Sequence, residues 1–277
     1  MIELDGKPIV ITGASSGIGA ATAVACAKAG MSVGLMARRA EKLDAVRERI
    51  ERDGGRAVVV VGDVVDPEAN LELIARTEEA FGDLYGSIAN AGYGAEVECA
   101  TMAIEDIRAM FEVNFYGSLY LTQSAIAGFR ERGAGHALMV SSCLSKIGLP
   151  RYGAYSATKA AQDHFTRAMM HELRGTGVHV SSVHPVGTRT EFFEEAARKS
   201  GGGKLMLAGS SERFMQSPEK VAGAMVRCLR KPRGEVWTST LARLGFGLSV
   251  MMPGVTDWVV GRMVEKRGRG GEEGTSH

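Results

Sequence analysis

Three polar residues near the middle of the chain have side chains that could hold and transfer a proton. Tyr155 and Lys159 are four positions apart in the segment YSATK, so a helix would place them one turn apart on the same face. An ammonium beside a phenol lowers the pKa of the phenol from about 10 towards neutral pH, which makes it a usable proton donor and acceptor. Ser142, just after an apolar run, could hold a substrate oxygen against that phenol. Taken alone, the Tyr/Lys pair is better explained as an ordinary helix surface.

A glycine-rich segment, TGASSGIG, begins at Thr12 between an apolar run and a helical pattern. Its spacing is G-x-x-x-G-x-G, which differs from the commoner G-x-G-x-x-G of dinucleotide-binding folds. Glycine lets the backbone turn tightly and approach a pyrophosphate, which the free N–H groups of a helix N-terminus would bind. The alternative is a turn that binds nothing. The cofactor-binding candidates here are Gly13, Ser15, Ser16, Gly17, Ile18 and Gly19.

The end of the second apolar run indicates which dinucleotide would bind. Folds of this type that prefer NAD usually carry an acidic residue there for the ribose 2′-hydroxyl, whereas this chain has Arg38 and Arg39. A guanidinium would pair with a 2′-phosphate, so the sequence predicts NADP(H) in preference to NAD(H). The alternative is a pair of solvated charges at the start of the next helix.

Two further segments follow later apolar runs, where ligands bind in open α/β sheets. Asp63, followed by Val64, could accept a hydrogen bond from the adenine amino group, or it could act only as a turn or cap residue. Asn90-Ala91-Gly92 is small enough to let a cofactor pass close to the backbone, although it could also be an ordinary loop. We therefore include all five residues as cofactor-binding candidates.

These candidates need a scaffold, and the chain alternates short β-branched runs with longer helical patterns. Runs such as Ala57 to Val61 are apolar throughout, as expected of parallel strands buried on both faces. The sequence therefore predicts a single doubly wound Rossmann-type α/β domain over residues 1–240, with a parallel sheet of about seven strands. It also predicts one long helix from about Ile104 to Arg130.

Three segments depart from this alternation. Residues from about 190 to 217 contain Phe192, Phe193 and a glycine run, and they predict either a lid over an apolar substrate or a surface loop. Residues 241–266 predict a helical extension that covers the substrate pocket, joins a subunit interface or rests on a membrane. The membrane is less favoured because few basic residues flank the segment. Residues 267–277 predict a disordered polar tail.

Composition excludes several classes of protein. Lys+Arg number 33 and Asp+Glu number 32 in 277 residues, so the net charge of +1 gives no overall field to hold a nucleic acid. The four cysteines lie far apart, without a Cys-x-x-Cys pair or a Cys/His metal spacing, so we expect a reduced intracellular protein with no bound metal. The N-terminus lacks the basic and apolar regions of a secretory signal, and we expect a cytoplasmic location.

The order and spacing of TGASSGIG, Asn90-Ala91-Gly92, Asn114, Ser142 and YSATK resemble the short-chain dehydrogenase/reductase family over about residues 5–240. The resemblance implies a catalytic tetrad of Asn114, Ser142, Tyr155 and Lys159. It further implies that Tyr155 and Lys159 contact the cofactor, Lys159 at the nicotinamide ribose, and that Asn114 supports a proton-relay water.

The same resemblance points to the segment that begins at His184. The family usually has Pro-Gly there, in contact with the nicotinamide, whereas here Val186 takes the glycine place after Pro185 and Gly187 follows. The resemblance makes cofactor-binding candidates of Pro185, Gly187, Thr188 and Thr190. Of these, Thr190 matches the threonine that meets the cofactor carboxamide or phosphate.

The implied function is an NADP(H)-dependent oxidoreductase that transfers a hydride reversibly between nicotinamide and a carbonyl or secondary alcohol of an apolar substrate. A homodimer or homotetramer is implied as well. The alternatives are a dinucleotide-sensing protein without turnover and a peripheral membrane reductase for lipids or sterols.

Overall fold

A single parallel sheet forms the centre of the protein. The computed structural model describes residues 1–192, 196, 198 and 215–272, with side chains as far as residue 265. Within these residues seven strands pair in the order β3-β2-β1-β4-β5-β6-β7, which confirms the predicted doubly wound α/β fold. The strands are β1 (Pro8–Thr12), β2 (Ser32–Ala37), β3 (Arg56–Val61), β4 (Gly86–Ala89), β5 (Gly135–Val140), β6 (Val178–His184) and β7 (Glu235–Trp237).

The helices cover both faces of this sheet. They are α1 (Gly17–Lys28), α2 (Ala40–Arg52), α3 (Pro67–Phe81), α4 (Ile104–Phe111), α5 (Gly117–Arg132), α6 (Gly153–Glu172), α7 (Pro218–Arg230), α8 (Thr240–Met251) and α9 (Pro253–Glu272). A π-helical turn (Glu112–Tyr116) joins α4 to α5, and a 3-10 turn (Cys143–Lys146) follows β5.

Alternation along the strands divides the core between the two faces. Ile9 and Ile11 of β1 belong to the cluster under α1 and α7, whereas Val10 belongs to the cluster under α3 and α5. All three are fully buried, and burying an aliphatic side chain of this size stabilises a fold by about 1.5–3 kcal/mol. Burial on both faces therefore explains why β1 is largely apolar, whereas the run Ala57 to Val61, expected to be buried, lies in the edge strand β3, where Val61 is 55% exposed.

The topology creates a crevice at one edge of the sheet. The chain builds outward from β1 in two directions, through β2 to β3 on one side and through β4 to β7 on the other. The connections after β1 and after β4 consequently leave towards opposite sides. Ligands of open α/β sheets bind at such a switch point, beyond the carboxyl ends of the strands.

The prediction of one long helix from Ile104 to Arg130 is wrong in one respect, because the π-helical turn interrupts that helix. Asn114 lies within this turn, and its side chain bonds outside its own helix to Tyr93 and Thr158. The turn also leaves the carbonyl of Asn114 bonded to the hydroxyl of Ser118. Contacts distant in sequence thus override a helical pattern that is continuous in the sequence.

The C-terminal extension is helical and packs across the crevice. Phe246 and Val260 contact the apolar cluster below it, whereas large apolar side chains such as Leu241, Met251 and Trp258 are exposed. The helix α9 continues to Glu272, and the prediction of a disordered tail over residues 267–277 stays a prediction. Residues 273–277 lie outside the described residues.

Among the described residues, no single helix has the length and apolar composition needed to cross a membrane. The pair Thr240–Met251 and Pro253–Glu265 meets both criteria only when taken together, and the two helices are bent by 110°.

Candidate active site

The crevice holds a cavity of about 530 Å³ that runs from the end of β2 to the start of α6. Most residues predicted from the sequence line it. They are Gly13, Ser15, Ser16, Gly17, Ile18, Arg38, Arg39, Asp63, Val64, Asn90, Ala91, Gly92, Ser142, Tyr155, Lys159, Pro185, Gly187, Thr188 and Thr190. Gly19 and Asn114 do not line the cavity and are buried beside it.

The loop between β1 and α1 has the geometry of an anion site. Gly13 has φ +64°, and a Cβ there would lie 2.9 Å from Cα of Ala91. Gly19 allows the first turn of α1 to pack directly against the carbonyl of Gly13. The side chain of Ser16, which precedes α1, makes no capping hydrogen bond to the helix. The first amides of α1 are therefore available to a phosphate.

Asn90 joins this loop to β4. Its Nδ2 donates to the carbonyls of Thr12 (3.1 Å) and Gly13 (3.3 Å). The hydroxyl of Thr12 accepts from the backbone N–H groups of Asn90 and Ala91. Asn90 therefore holds the glycine-rich loop in place across the switch point.

Cations lie at the β2 end of the cavity. Arg39 donates to the hydroxyls of Ser15 (3.1 Å) and Ser16 (2.8 Å), and its other terminal nitrogen donates to Glu191 at 2.8 Å. Lys42 also bonds Glu191. Hydrogen bonds from Lys42 and then Arg39 lower the pKa of Glu191 to about 2, so this carboxylate is ionised at neutral pH.

Arg38 and Asp63 form a looser pair at the same end. Nη1 of Arg38 lies 3.7 Å from Oδ2 of Asp63, and the Arg38 side chain is 70% exposed. Oδ1 of Asp63 accepts from the N–H of Val65 at 3.3 Å, which is a turn contact. Asp63 therefore serves the turn and also faces the cavity.

Ser142 and Tyr155 meet at the other end of the cavity. Ser142 ends the loop after β5 and accepts from the N–H of Leu144 at 3.1 Å. Tyr155 lies in the first turn of α6, and both residues line the cavity. Burial raises the pKa of Tyr155 above its ordinary value, and the nearby Ser142 hydroxyl opposes this rise. The predicted lowering of this pKa by Lys159 is therefore wrong for this structure.

The hydrogen bonds of Lys159 explain why it does not lower the pKa of Tyr155. Its Nζ lies 5.9 Å from the centroid of the Tyr155 ring and donates to the carbonyl of Val140 and to Oε1 of Gln162, each at 2.8 Å. Both acceptors are neutral, so burial lowers the pKa of Lys159 to about 7. Gln162 in turn donates to Ser118 at 2.7 Å.

Asn114 uses its side chain to hold protein groups. Its Oδ1 accepts from the N–H of Tyr93, and its Nδ2 donates to the carbonyl of Tyr93 and to the hydroxyl of Thr158, at 2.9 to 3.0 Å. These bonds join the loop after β4 to α6, one residue before Lys159. The structure thus places Asn114 as an anchor for the helix that carries Tyr155 and Lys159.

The segment after β6 borders the same end. The carbonyl of Pro185 accepts from the N–H of Cys143 at 3.1 Å, and Thr188 donates from its hydroxyl to the carbonyl of Val186 at 2.7 Å. A Cβ on Gly17 would lie 2.9 Å from Cγ2 of Thr190, which brings this segment against the glycine-rich loop.

Part of the predicted lid can be placed. The ring of Phe192 lies 5.4 Å from that of Tyr155, and Gln216 pairs with Thr188. Phe193 and residues 199–214 lie outside the described residues.

Several lining residues were not among the predicted catalytic or cofactor-binding residues, although some lie in the predicted lid or extension. Glu191 closes the cation end, whereas Tyr93, Val186, Met215 and Phe246 add apolar surface near Tyr155. Glu191 has no local signal, because its partner Arg39 is 152 residues away.

Known proteins are similar to this chain in sequence. The short chain dehydrogenase family matches residues 7–201. The 3-dehydrosphinganine reductase of Danio rerio is 30% identical over 261 residues, which cover 92% of this chain and 77% of that protein.

Solved structures share the fold. One is a short chain dehydrogenase/reductase from Burkholderia phymatum in complex with NAD (TM-score 0.81, 24% identity, 92% of this chain and 97% of that one). Another is an alcohol dehydrogenase from Thermococcus sibiricus complexed with 5-hydroxy-NADP (TM-score 0.71, 29% identity, 83% and 95%). This chain therefore belongs to the short-chain dehydrogenase/reductase family, and it is an oxidoreductase that acts on carbonyl or alcohol groups with a nicotinamide cofactor.

Proposed function

We propose that the protein uses NADP(H) to reduce a carbonyl group, or to oxidise the matching secondary alcohol, in an apolar substrate. The observation that carries this proposal is that one cavity is lined by Ser142, Tyr155 and Lys159 at one end and by Arg38 and Arg39 at the other. Asn114, Ser142, Tyr155 and Lys159 form the proposed catalytic tetrad.

The residues present fit a dinucleotide. The uncapped N-terminus of α1 and the left-handed Gly13 would hold the pyrophosphate. Arg38 and Arg39 would hold the 2′-phosphate, and Lys159 with the segment from Pro185 to Thr190 would hold the nicotinamide end. When bound, the nicotinamide supplies a hydride to the carbonyl carbon.

Tyr155 supplies the proton that must accompany this hydride. Its raised pKa keeps the phenol protonated at neutral pH, so it donates to the carbonyl oxygen as negative charge develops there. Ser142 donates a hydrogen bond to the same oxygen and holds it beside the phenol.

In this scheme Lys159 and Asn114 do not transfer the proton themselves; they support Tyr155, which does. The ammonium of Lys159 lies under the Tyr155 ring, fixed by Val140 and Gln162. Asn114 holds the helix that carries both residues. A positive charge at this place favours the phenolate that remains after proton transfer.

The preference for NADP(H) is supported by charge at the end of β2. Arg38, Arg39 and Lys42 present three cations there, and no acidic residue ends the strand. A 2′-phosphate would pair with these groups, whereas an unmodified ribose would leave them without that partner. The solved neighbours include one with NAD and one with 5-hydroxy-NADP, so the charge at the end of β2 alone supports this preference.

An apolar substrate is supported by the walls around Tyr155. Leu144, Val186, Phe192 and Phe246 line this end of the cavity. Burial of apolar groups against such walls excludes water from the reacting carbonyl. The Danio rerio relative, named a 3-dehydrosphinganine reductase, is consistent with this class.

The proposal includes a homodimer or homotetramer formed through α5 and α6. Phe165 on α6 and Tyr116 beside α5 are exposed at 47% and 43%, and both rings contact Phe115. These exposed rings support an interface on that face. Multi-angle light scattering would count the subunits, and a monomer would remove this part of the proposal.

The deciding experiment replaces one hydroxyl. We expect Tyr155→Phe to abolish NADPH oxidation with a panel of acetophenone, cyclohexanone, decanal and menadione, while calorimetric titration shows NADPH affinity within a few fold of wild type. Tyr85→Phe is a matched control, because Tyr85 is another buried phenol and its hydroxyl has no hydrogen-bond partner in the described part of the chain. Unchanged turnover in Tyr155→Phe would remove Tyr155 from the mechanism.

A further inference from the structure

A buried polar cluster adjoins the loop that carries Ser142. His184, the last residue of β6, is fully buried, and its ring stacks on that of Trp237 with the centroids 4.6 Å apart. Its Nδ1 lies 3.1 Å from the backbone carbonyl oxygen of Ser142 and donates to it, since a carbonyl oxygen can only accept. Its Nε2 faces Oδ1 of Asp163 at 3.4 Å.

These contacts join three elements of the candidate active site. His184 directly precedes Pro185 in the segment that borders the cavity, and Ser142 lies in the loop after β5. Asp163 lies on α6, four residues after Lys159. One imidazole therefore connects the proposed cofactor segment, the serine loop and the helix that carries the tyrosine.

The cluster has its own internal cation. Asp163, His184 and Glu235 have ligand atoms within 4.8 Å of one another, which is close enough for a metal site. The ammonium of Lys146, however, bonds Asp163 and lies 3.1 Å from Glu235, and Arg167 lies 2.6 Å from Glu235. These cations balance the two carboxylates, so the cluster is explained without a metal ion.

Asp163 is held as a carboxylate by the same neighbours. Burial alone raises its pKa, but the neighbouring His184 and the ammonium of Lys146, which bonds Asp163, hold that pKa well below its usual range. A fixed anion at Nε2 orients the imidazole ring and so directs Nδ1 at the serine carbonyl.

The carbonyl of Ser142 accepts from His184 and also from the N–H of Ser145 at 3.1 Å. Its backbone is extended (φ −160°, ψ 158°), its hydroxyl accepts from the N–H of Leu144, and the same hydroxyl lowers the pKa of Tyr155. Loss of the His184 contact would leave this carbonyl with one partner fewer, and we expect the loop around Ser142, with its hydroxyl, to shift relative to Tyr155. An error of about 1 Å in such a group costs about a hundredfold in rate.

We propose that His184 is a positioning residue for the proposed reaction: supported by Asp163, it holds the carbonyl of Ser142 so that the serine hydroxyl faces Tyr155. This inference rests on the proposed function, because it assigns His184 to the same site. A purely structural role would cost stability without linking His184 to Ser142.

A double-mutant cycle separates the two roles. His184→Phe keeps a ring to stack on Trp237 and removes both nitrogens, and Ser142→Ala removes the hydroxyl that is to be positioned. We expect His184→Phe to lower kcat about tenfold or more in the wild-type background and less than about twofold in the Ser142→Ala background. Single-turnover reduction of the most active carbonyl of the panel keeps slow variants measurable. Equal losses in both backgrounds would overturn the proposal.

Two further variants complete the test. His184→Asn keeps a nitrogen donor at the position of Nδ1, so we expect it to restore most of the kcat lost in His184→Phe. His136→Phe is the matched control, because His136 is a buried histidine of the same sheet, bonded to Ser181 at 2.7 Å and placed at the opposite end of β5. We expect His136→Phe to lower Tm and to change kcat by the same factor in the wild-type and Ser142→Ala backgrounds. Equal activity of His184→Asn and His184→Phe would count against the proposal.

Hydrogen exchange of the full-length protein supplies a readout that needs no turnover. We expect His184→Phe to speed exchange at residues 142–146 and His136→Phe to leave that segment unchanged. If wild type reduces no compound of the panel, the proposed function fails, yet the exchange result still decides whether His184 holds the serine loop. If residues 142–146 exchange at the same rate in His184→Phe as in wild type, that result alone refutes the inference.

Discussion

Glu191 and a 2′-phosphate would compete for the same cations. In the structure the Glu191 carboxylate is bonded to Arg39 and Lys42, at the end of the cavity where the extra phosphate of NADPH is proposed to bind. Binding NADPH then requires these bonds to break or to be shared with the phosphate. We therefore expect Glu191→Gln to strengthen NADPH binding and to leave NADH binding nearly unchanged.

The size of the effect follows from the exposure of the partners. The side chains of Arg39, Lys42 and Glu191 are 42% to 48% exposed, so solvent screens both ion pairs, and each is worth about 0.2–1 kcal/mol. Losing both competitors would contribute about 0.5–1.5 kcal/mol, which corresponds to about 2- to 12-fold in Kd. Because the pKa of Glu191 is about 2, the carboxylate is ionised at any ordinary assay pH, so its own titration adds no pH dependence to the gain between about pH 5 and pH 8.

Calorimetric titration with NADPH and NADH measures both affinities. Glu41→Gln is a matched control, because Glu41 is an exposed glutamate in the first turn of α2 and its replacement changes the local charge equally. Only the Glu191 variant should gain, and its gain should shrink at high salt. Equal gains for the two cofactors, or equal gains from both variants, would refute the competition.

Two further predictions concern stability. Burial lowers the pKa of Lys159 to about 7, so between about pH 7 and pH 9.5 the unfolded chain keeps a proton that the folded chain has lost. Wild type should therefore gain Tm relative to Lys159→Met as pH rises through this window, and a constant difference in calorimetry would contradict that sign. Gly13→Ala places a Cβ 2.9 Å from Cα of Ala91 at φ +64°, so we expect a loss of about 1–3 kcal/mol in thermal melts and weaker NADPH binding. A variant as stable as wild type would show that the loop relaxes.

Residues that act through local spacing were predictable from the sequence. The glycines of the first loop and the pair Tyr155 and Lys159 follow strand–loop–helix patterns within a few positions, and the sheet topology brings such segments to one edge. The buried inner strands β1 and β2 follow from their largely apolar runs. These features depend on period and spacing, which a sequence displays directly.

Contacts between distant segments were not predictable in the same way. Glu191 meets Arg39 across 152 positions, and His184 meets Ser142 across 42. The π-helical turn at Asn114 likewise depends on bonds to Tyr93 and Thr158. No periodicity encodes these pairings, because they arise only when the loops are brought together by the sheet.

Tyr155 shows how burial changes a conclusion drawn from a correct pair. The spacing of Tyr155 and Lys159 predicts the right helix face, and a Coulomb argument then predicts a lowered phenol pKa. In the folded protein both groups lose water and the Lys159 ammonium bonds Val140 and Gln162, so burial of the phenol sets the direction of its pKa, which is upward. Burial alone thus keeps Tyr155 in the protonated form that carbonyl reduction needs. Oxidation of an alcohol needs the phenolate instead, which is the form that the nearby Ser142 hydroxyl favours.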